Sequence, residues 1–138
     1  MTSVVRPATA ADLPAVVALW DLAGGPTRTP PSLADAERLF ARDPGALLVA
    51  DVDGEVVASL IVGWDGWRCH LYRLATHPDH RRRGLAAELV ATAVLRARAL
   101  GASRIDAMVN DANEGARGFW AAAGFALEDD DSRWSRLS

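Results

Sequence analysis

The run Arg81-Arg82-Arg83-Gly84-Leu85-Ala86 is the part of this 138-residue chain whose residue types and spacing say most about chemistry. It lies between an apolar segment that reads as a strand and the longest stretch of helical periodicity. A loop feeding a helix N-terminus presents unpaired backbone N–H groups and the positive end of the helix dipole. Gly84 lets the backbone come close to an anion, the arginines add charge-assisted contacts at the rim, and Ala86 keeps the first turn free of bulk. These are the parts of a pyrophosphate cradle. No Gly-Lys-Ser/Thr follows, so it is not a Walker loop, and the glycine spacing is not that of a dinucleotide fingerprint. Upstream, Cys69-His70 looks like a nucleophile beside its base, yet strand neighbours point to opposite faces and the two cannot meet. Cys69 reads instead as a small buried hydrophobe.

The elements that must carry these residues follow from pattern. Val4–Arg6 is a short strand. Thr9 with Asp12 forms a capping box opening a helix along Leu13, Val16, Val17 and Trp20, and Ser32 with Asp35 opens a second along Leu33, Ala36, Leu39 and Phe40. Between them, the Gly/Pro-rich stretch 24–31, with Thr27, Arg28 and Thr29, is a candidate lid. Leu47–Val52, Val56–Trp64 and Trp67–Thr76 are joined by Asp53-Gly54 and Asp65-Gly66, two strong hairpin signals, which predicts an antiparallel meander. Gly84–Leu100 reads as a long helix stopped by Gly101, Arg104–Val109 as a strand, and Asn113–Ala123 as a helix capped by Gly124. Phe125–Leu127 and Trp134–Leu137 read as a last strand pair. The predicted order is β-α-α-β-β-β-α-β-α-β-β, an α/β (α+β) fold in one domain over 1–138.

Composition narrows the function further. A net charge of −3 opposes general nucleic-acid binding, despite the local arginine run. All 15 basic residues are Arg, which carries no chemistry of its own. One cysteine and three scattered histidines make a metal site unexpected. No segment approaches the ~20 apolar residues of a membrane span, and no leader pattern stands at the N-terminus, so a cytoplasmic protein is expected.

Two strings at a characteristic separation carry a resemblance. Leu74-Ala75-Thr76-His77-Pro78 precedes Arg81-x-x-Gly84-x-Ala86, and Asn113, Ala116, Gly124 and Phe125 follow, with Trp120 where the pattern has Tyr. In this the chain resembles the GNAT family of N-acetyltransferases, over its whole length. The resemblance implies a mixed, mostly antiparallel sheet whose fourth and fifth strands splay apart to admit acetyl-CoA. The pyrophosphate would sit on Arg81, Arg82, Arg83, Gly84, Leu85 and Ala86, and the pantetheine would pair with the backbone at Leu74, Ala75 and Thr76. Asn113 and Trp120 would stand near it.

The resemblance also implies direct attack by an amine, with no covalent enzyme intermediate and no metal. Its catalytic carboxylate position falls on His70, a residue suited to take a proton near pH 7. If the strand alternates without a bulge, Tyr72 and Leu74 share the face of His70, making Tyr72 a candidate acid; a bulge, which the resemblance implies is frequent here, would break that pattern. An indole at position 120 cannot protonate the leaving thiolate, so an acyl-CoA-binding sensor without turnover is the rival reading. The acceptor could be a small-molecule amine or the amine of a peptide or protein. Relatives of this size occur as monomers and as homodimers.

Overall fold

The structure, a computed structural model, describes residues 2–23, 30–109, 116–128, 132 and 134–136. The backbone forms two compact units, Met1–Met108 and Val109–Ser138. The larger runs β1 (Ser3–Pro7), α1 (Leu13–Ala23), α2 (Leu33–Arg42), β2 (Leu47–Val52), β3 (Glu55–Trp64), β4 (Arg68–Thr76), α3 (Leu85–Leu100) and β5 (Arg104–Ala107). The smaller contains α4 (Ala116–Ala122).

Both capping boxes form. Thr9 and Asp12 exchange hydrogen bonds across a 3₁₀ turn at Ala10–Asp12 that leads into α1, and Ser32 and Asp35 do so at the start of α2. Arg6 of β1 donates to Asp12 at 2.7 Å and to Asp51 of β2 at 3.0 Å, tying this corner together. Asp53 and Gly54 both take positive φ, 51° and 89°, as a two-residue hairpin turn requires.

The sheet order is β1-β2-β3-β4-β5, antiparallel except between β4 and β5. That pair is parallel because the 16-residue α3 carries the chain back across the sheet. On one face Leu47, Val49 and Ile61 pack with Leu13, Val16, Trp20 and Ala36 of α1 and α2. The Trp20 indole donates to the buried Ser59 hydroxyl at 2.9 Å, satisfying both groups. Leu60, Val62, Cys69 and Leu71 alternate with these residues and are fully or nearly fully buried on the other face, where Leu85, Leu89, Ala93 and Ala97 of α3 are buried.

The expected last strand pair does not form among the described residues. Residues 125–128 and 134–136 are irregular. Gly124 turns at φ 95° and the Phe125 N–H donates to the Trp120 carbonyl, so Phe125 closes the end of α4 and its N–H is taken from any ladder.

Candidate active site

The predicted cradle is positioned by the end of β4 and the start of α3. Pro78–His80 make a single 3₁₀ turn, capped by His77 Nδ1 accepting from the Asp79 N–H at 3.1 Å. His80 Nδ1 lies 3.2 Å from an Arg83 guanidinium nitrogen, so both histidines shape the loop. Backbone handedness then alternates, with Arg82 at φ 65° and Gly84 at φ 76°. Such alternation makes anion-binding concavities of backbone N–H groups. Gly84 is the N-cap of α3 and supplies no capping side chain. The first intrahelical bond runs from the Glu88 N–H to the Gly84 carbonyl, which leaves the N–H groups of Leu85, Ala86 and Ala87 without helical partners. Arg81, Arg82, Arg83 and Gly84 are exposed, and nothing lies within 4 Å of where a Gly84 β-carbon would be.

Beside this loop the sheet opens. The β4–β5 register runs from Arg68↔Arg104 to Leu71↔Ala107, and the Met108 N–H still reaches the Leu71 carbonyl at 3.1 Å. Past that point β5 has ended, and the Tyr72–Thr76 half of β4 faces no strand on that side among the described residues. The strands part as expected, with Leu74, Ala75 and Thr76 on the bare stretch.

His70 and Tyr72 do share a face. Their register partners on β3 are Gly63 and Ile61, and Ile61 belongs to the core under α1 and α2. The Tyr72 ring lies across Gly63, where an added β-carbon would stand 3.3 Å from Tyr72 Cε1. Partial burial pushes the Tyr72 phenol above its usual range, which keeps its proton available for donation. Leu74 does not join them. The register slips between Ser59 and Ile61, so Arg73 and Leu74 together oppose Leu60, and Arg73 takes φ 56°. This bulge breaks the alternation, and Ala75, opposite Ser59, returns to the α1 face and packs on its core.

The sequence reading missed what surrounds His70. Its Nδ1 is 3.7 Å from Asp106 Oδ2 and its Nε2 is 3.7 Å from Asp65 Oδ2. Asp65 sits in the β3–β4 turn, where its Oδ1 accepts from the N–H groups of Trp67 (2.9 Å) and Arg68 (2.8 Å). The backbone bonds from Arg68 and Trp67 hold its carboxyl down at about 2. Arg68 also donates from Nε to Asp65 Oδ2 at 3.2 Å, and its guanidinium lies 4.7 Å over the exposed Trp67 ring. Asp65 was legible only as a turn residue. Asp106 had no signal, because its pairing with His70 depends on a register set across α3.

In the smaller unit, Trp120 packs edge-on against Phe119 and Phe125, at centroid distances of 5.4 and 5.0 Å. The indole is buried and packs the end of α4. Asn113 and the stretch 24–29 of the candidate lid lie outside the described residues.

Comparisons with known proteins agree with this architecture. The model of the Acetyltransferase (GNAT) family matches residues 14–125. An acetyltransferase from Pectobacterium atrosepticum is 37% identical over 111 residues, covering 79% of this chain and 77% of that protein. Among solved structures, the PaiA N-acetyltransferase of Thermoplasma acidophilum in complex with coenzyme A superposes with a TM-score of 0.81 at 17% identity, over 95% of this chain and 94% of that one. A Mycobacterium tuberculosis protein in complex with CoA superposes with a TM-score of 0.76 at 22% identity, over 91% and 73%. A five-stranded sheet that opens between a parallel final pair, beside an uncapped helix, is the architecture of an acyl-transfer fold. The chain belongs to the GNAT family and is an acetyltransferase. Among the described residues no helix is long and apolar enough to cross a membrane.

Proposed function

We propose that this acetyltransferase moves the acetyl group of acetyl-CoA to a primary amine by direct attack, within a single domain. The observation that carries the reading is the open, uncapped start of α3 at Gly84, one short turn beyond the bare half of β4. Acetyl-CoA supplies an activated acyl group on a thiol whose departure is undemanding, since thiols ionise near pH ~8.5. Arg81, Arg82, Arg83 and the N–H groups of Leu85 and Ala86 bind the pyrophosphate. The backbone of Leu74, Ala75 and Thr76 pairs with the extended pantetheine as a strand would, and N–H groups along that edge polarise the acyl carbonyl.

A primary amine arrives protonated at neutral pH, so a base must take a proton before attack. His70, half-buried beside the mouth of the strand parting, is that base. Tyr72, whose phenol keeps its proton, is the donor on the same face. Calorimetric titration with CoA and acetyl-CoA, followed by a thiol-release assay against a panel of amines and lysine peptides, tests the whole scheme. His70→Ala is expected to lower kcat at neutral pH far more than it changes KM for acetyl-CoA. An unchanged pH–rate profile in that variant removes His70 as the base.

A second reading rests on Trp120, an indole at the position where the family pattern places a phenol, held between Phe119 and Phe125. If Tyr72 does not take over the acid role, the domain binds acyl-CoA and signals its presence. Tight CoA binding without thiol release across the panel favours that reading.

A further inference from the structure

We infer that Asp106 is a positioning residue for His70, fixing the imidazole as the tautomer protonated on Nδ1 so that Nε2 keeps its lone pair. The inference rests on the reading of His70 as the base. The two residues are register partners on β4 and β5, one pair before the strands part, so the sheet itself holds Asp106 against the ring. Asp106 Oδ1 accepts from Arg104 Nε at 2.8 Å, which fixes the carboxylate plane and leaves Oδ2 turned to Nδ1.

The carboxylate on the other side of the ring is differently occupied. Asp65 already accepts from two backbone N–H groups and from Arg68 Nε, whereas Asp106 Oδ2 has no other donor among the described residues. A single imidazole proton therefore gains more facing Asp106 than facing Asp65. At 3.7 Å the approach is longer than a hydrogen bond, and catalytic hydrogen bonds commonly tighten only once substrate is bound. With the proton on Nδ1, the Nε2 lone pair faces Asp65 Oδ2, and the two acceptors repel until a donor enters between them. A protonated amine is such a donor, so the arrangement seats the incoming ammonium where its proton must leave. The charged groups facing His70 are thus Asp65 and Asp106, each backed by an arginine, Arg68 or Arg104.

The test uses ring-nitrogen NMR of the histidine-labelled protein, with the His70 signals assigned by their loss in His70→Ala. Neutral His70 is expected to carry its proton on Nδ1. Asp106→Asn presents an amide to Nδ1 and is expected to move the proton to Nε2. In the thiol-release assay the same variant should lower kcat by roughly 10- to 100-fold, the cost of losing the outer partner that orients a metal-bound histidine, with KM for acetyl-CoA held within about twofold. Asp106→Glu should restore the tautomer and part of kcat. A parent His70 protonated on Nε2, or a tautomer indifferent to Asp106→Asn, overturns the inference, and the parent measurement does so without depending on any variant's folding. An Asp106-dependent tautomer together with a kcat unmoved by His70→Ala would instead uphold the positioning and remove the base, so the two failures are distinguishable.

Discussion

Replacing Gly84 by Asp probes the anion site with little cost to the fold. Gly84 has φ 76°, and no atom lies within 4 Å of an added β-carbon, so the substitution meets conformational strain and no clash. That strain is about 1 kcal/mol, because Asp and Asn are among the side chains that best tolerate the left-handed region. It should lower Tm by about 4 °C in a domain of this size. The effect on binding is electrostatic. A carboxylate about 5 Å from a doubly charged pyrophosphate costs roughly 1.7 kcal/mol at the permittivity of bulk water, and more where solvent is partly excluded. CoA should then bind at least about 15-fold more weakly. Gly84→Asn is the matched control, with the same shape and the same tolerance of the backbone but no charge. Calorimetric titration of both variants with CoA isolates the charge term, and the gap between them should narrow as salt is raised. Equal Kd values for Gly84→Asp and Gly84→Asn would show that no phosphate sits at the start of α3.

Three further outcomes concern the scaffold. The Arg6 guanidinium and the Thr9 N–H and hydroxyl hold the Asp12 carboxyl down at about 2 from an ordinary 3.8. The unfolded chain therefore binds more protons in this window, and on the order of 1–2 kcal/mol of stability present above pH ~4 is lost as pH falls toward ~2. Denaturant titrations across that range should show the slope, and Asp12→Asn should flatten it. Trp20→Phe strands the buried Ser59 hydroxyl and should cost about 1–3 kcal/mol, part of which Ser59→Ala restores in the double variant. Gly45→Ala would place its β-carbon 2.5 Å from the Arg96 guanidinium, which holds Asp43 at 2.9 Å. It should destabilise by about 1 kcal/mol in the native background and by much less once Arg96 is already Ala, a coupling that a double-mutant cycle measures.

Features written in a few adjacent residues could be read from the sequence. The Thr9/Asp12 and Ser32/Asp35 boxes, the Asp53-Gly54 hairpin and the Gly84 start of α3 are local agreements between side chain and backbone. The loop and helix start proposed as the cradle belong to this group, since a loop, a glycine and a helix N-terminus are contiguous. The bulge was implied by the family resemblance but its place was not legible, because nothing in Tyr72-Arg73-Leu74 marks Arg73 as a left-handed residue. It shows only in the pairing with β3, where Arg73 and Leu74 together stand opposite Leu60. The Phe125–Leu127 strand was misread for a related reason. Its alternation is real, but Gly124 commits Phe125 to closing α4 first. Asp106 shows the limit most clearly, for only the parallel register of two strands separated by a helix brings it to His70.

The parting of β4 from β5 has a consequence for how the protein behaves without its ligand. A row of unpaired strand N–H and C=O groups is a template on which another extended chain can grow, and proteins normally cover, charge or shorten such edges. Here the Tyr72–Thr76 half of β4 faces no strand on its β5 side among the described residues, and in the proposed reading its partner there is the pantetheine arm itself. Occupancy by CoA would then act as edge protection as well as chemistry, adding stability by mass action and removing the surface on which copies could associate. On that reading, a transferase built this way would be safest when charged with its donor, and the abundance of acyl-CoA in its surroundings would help to set how long the folded protein lasts.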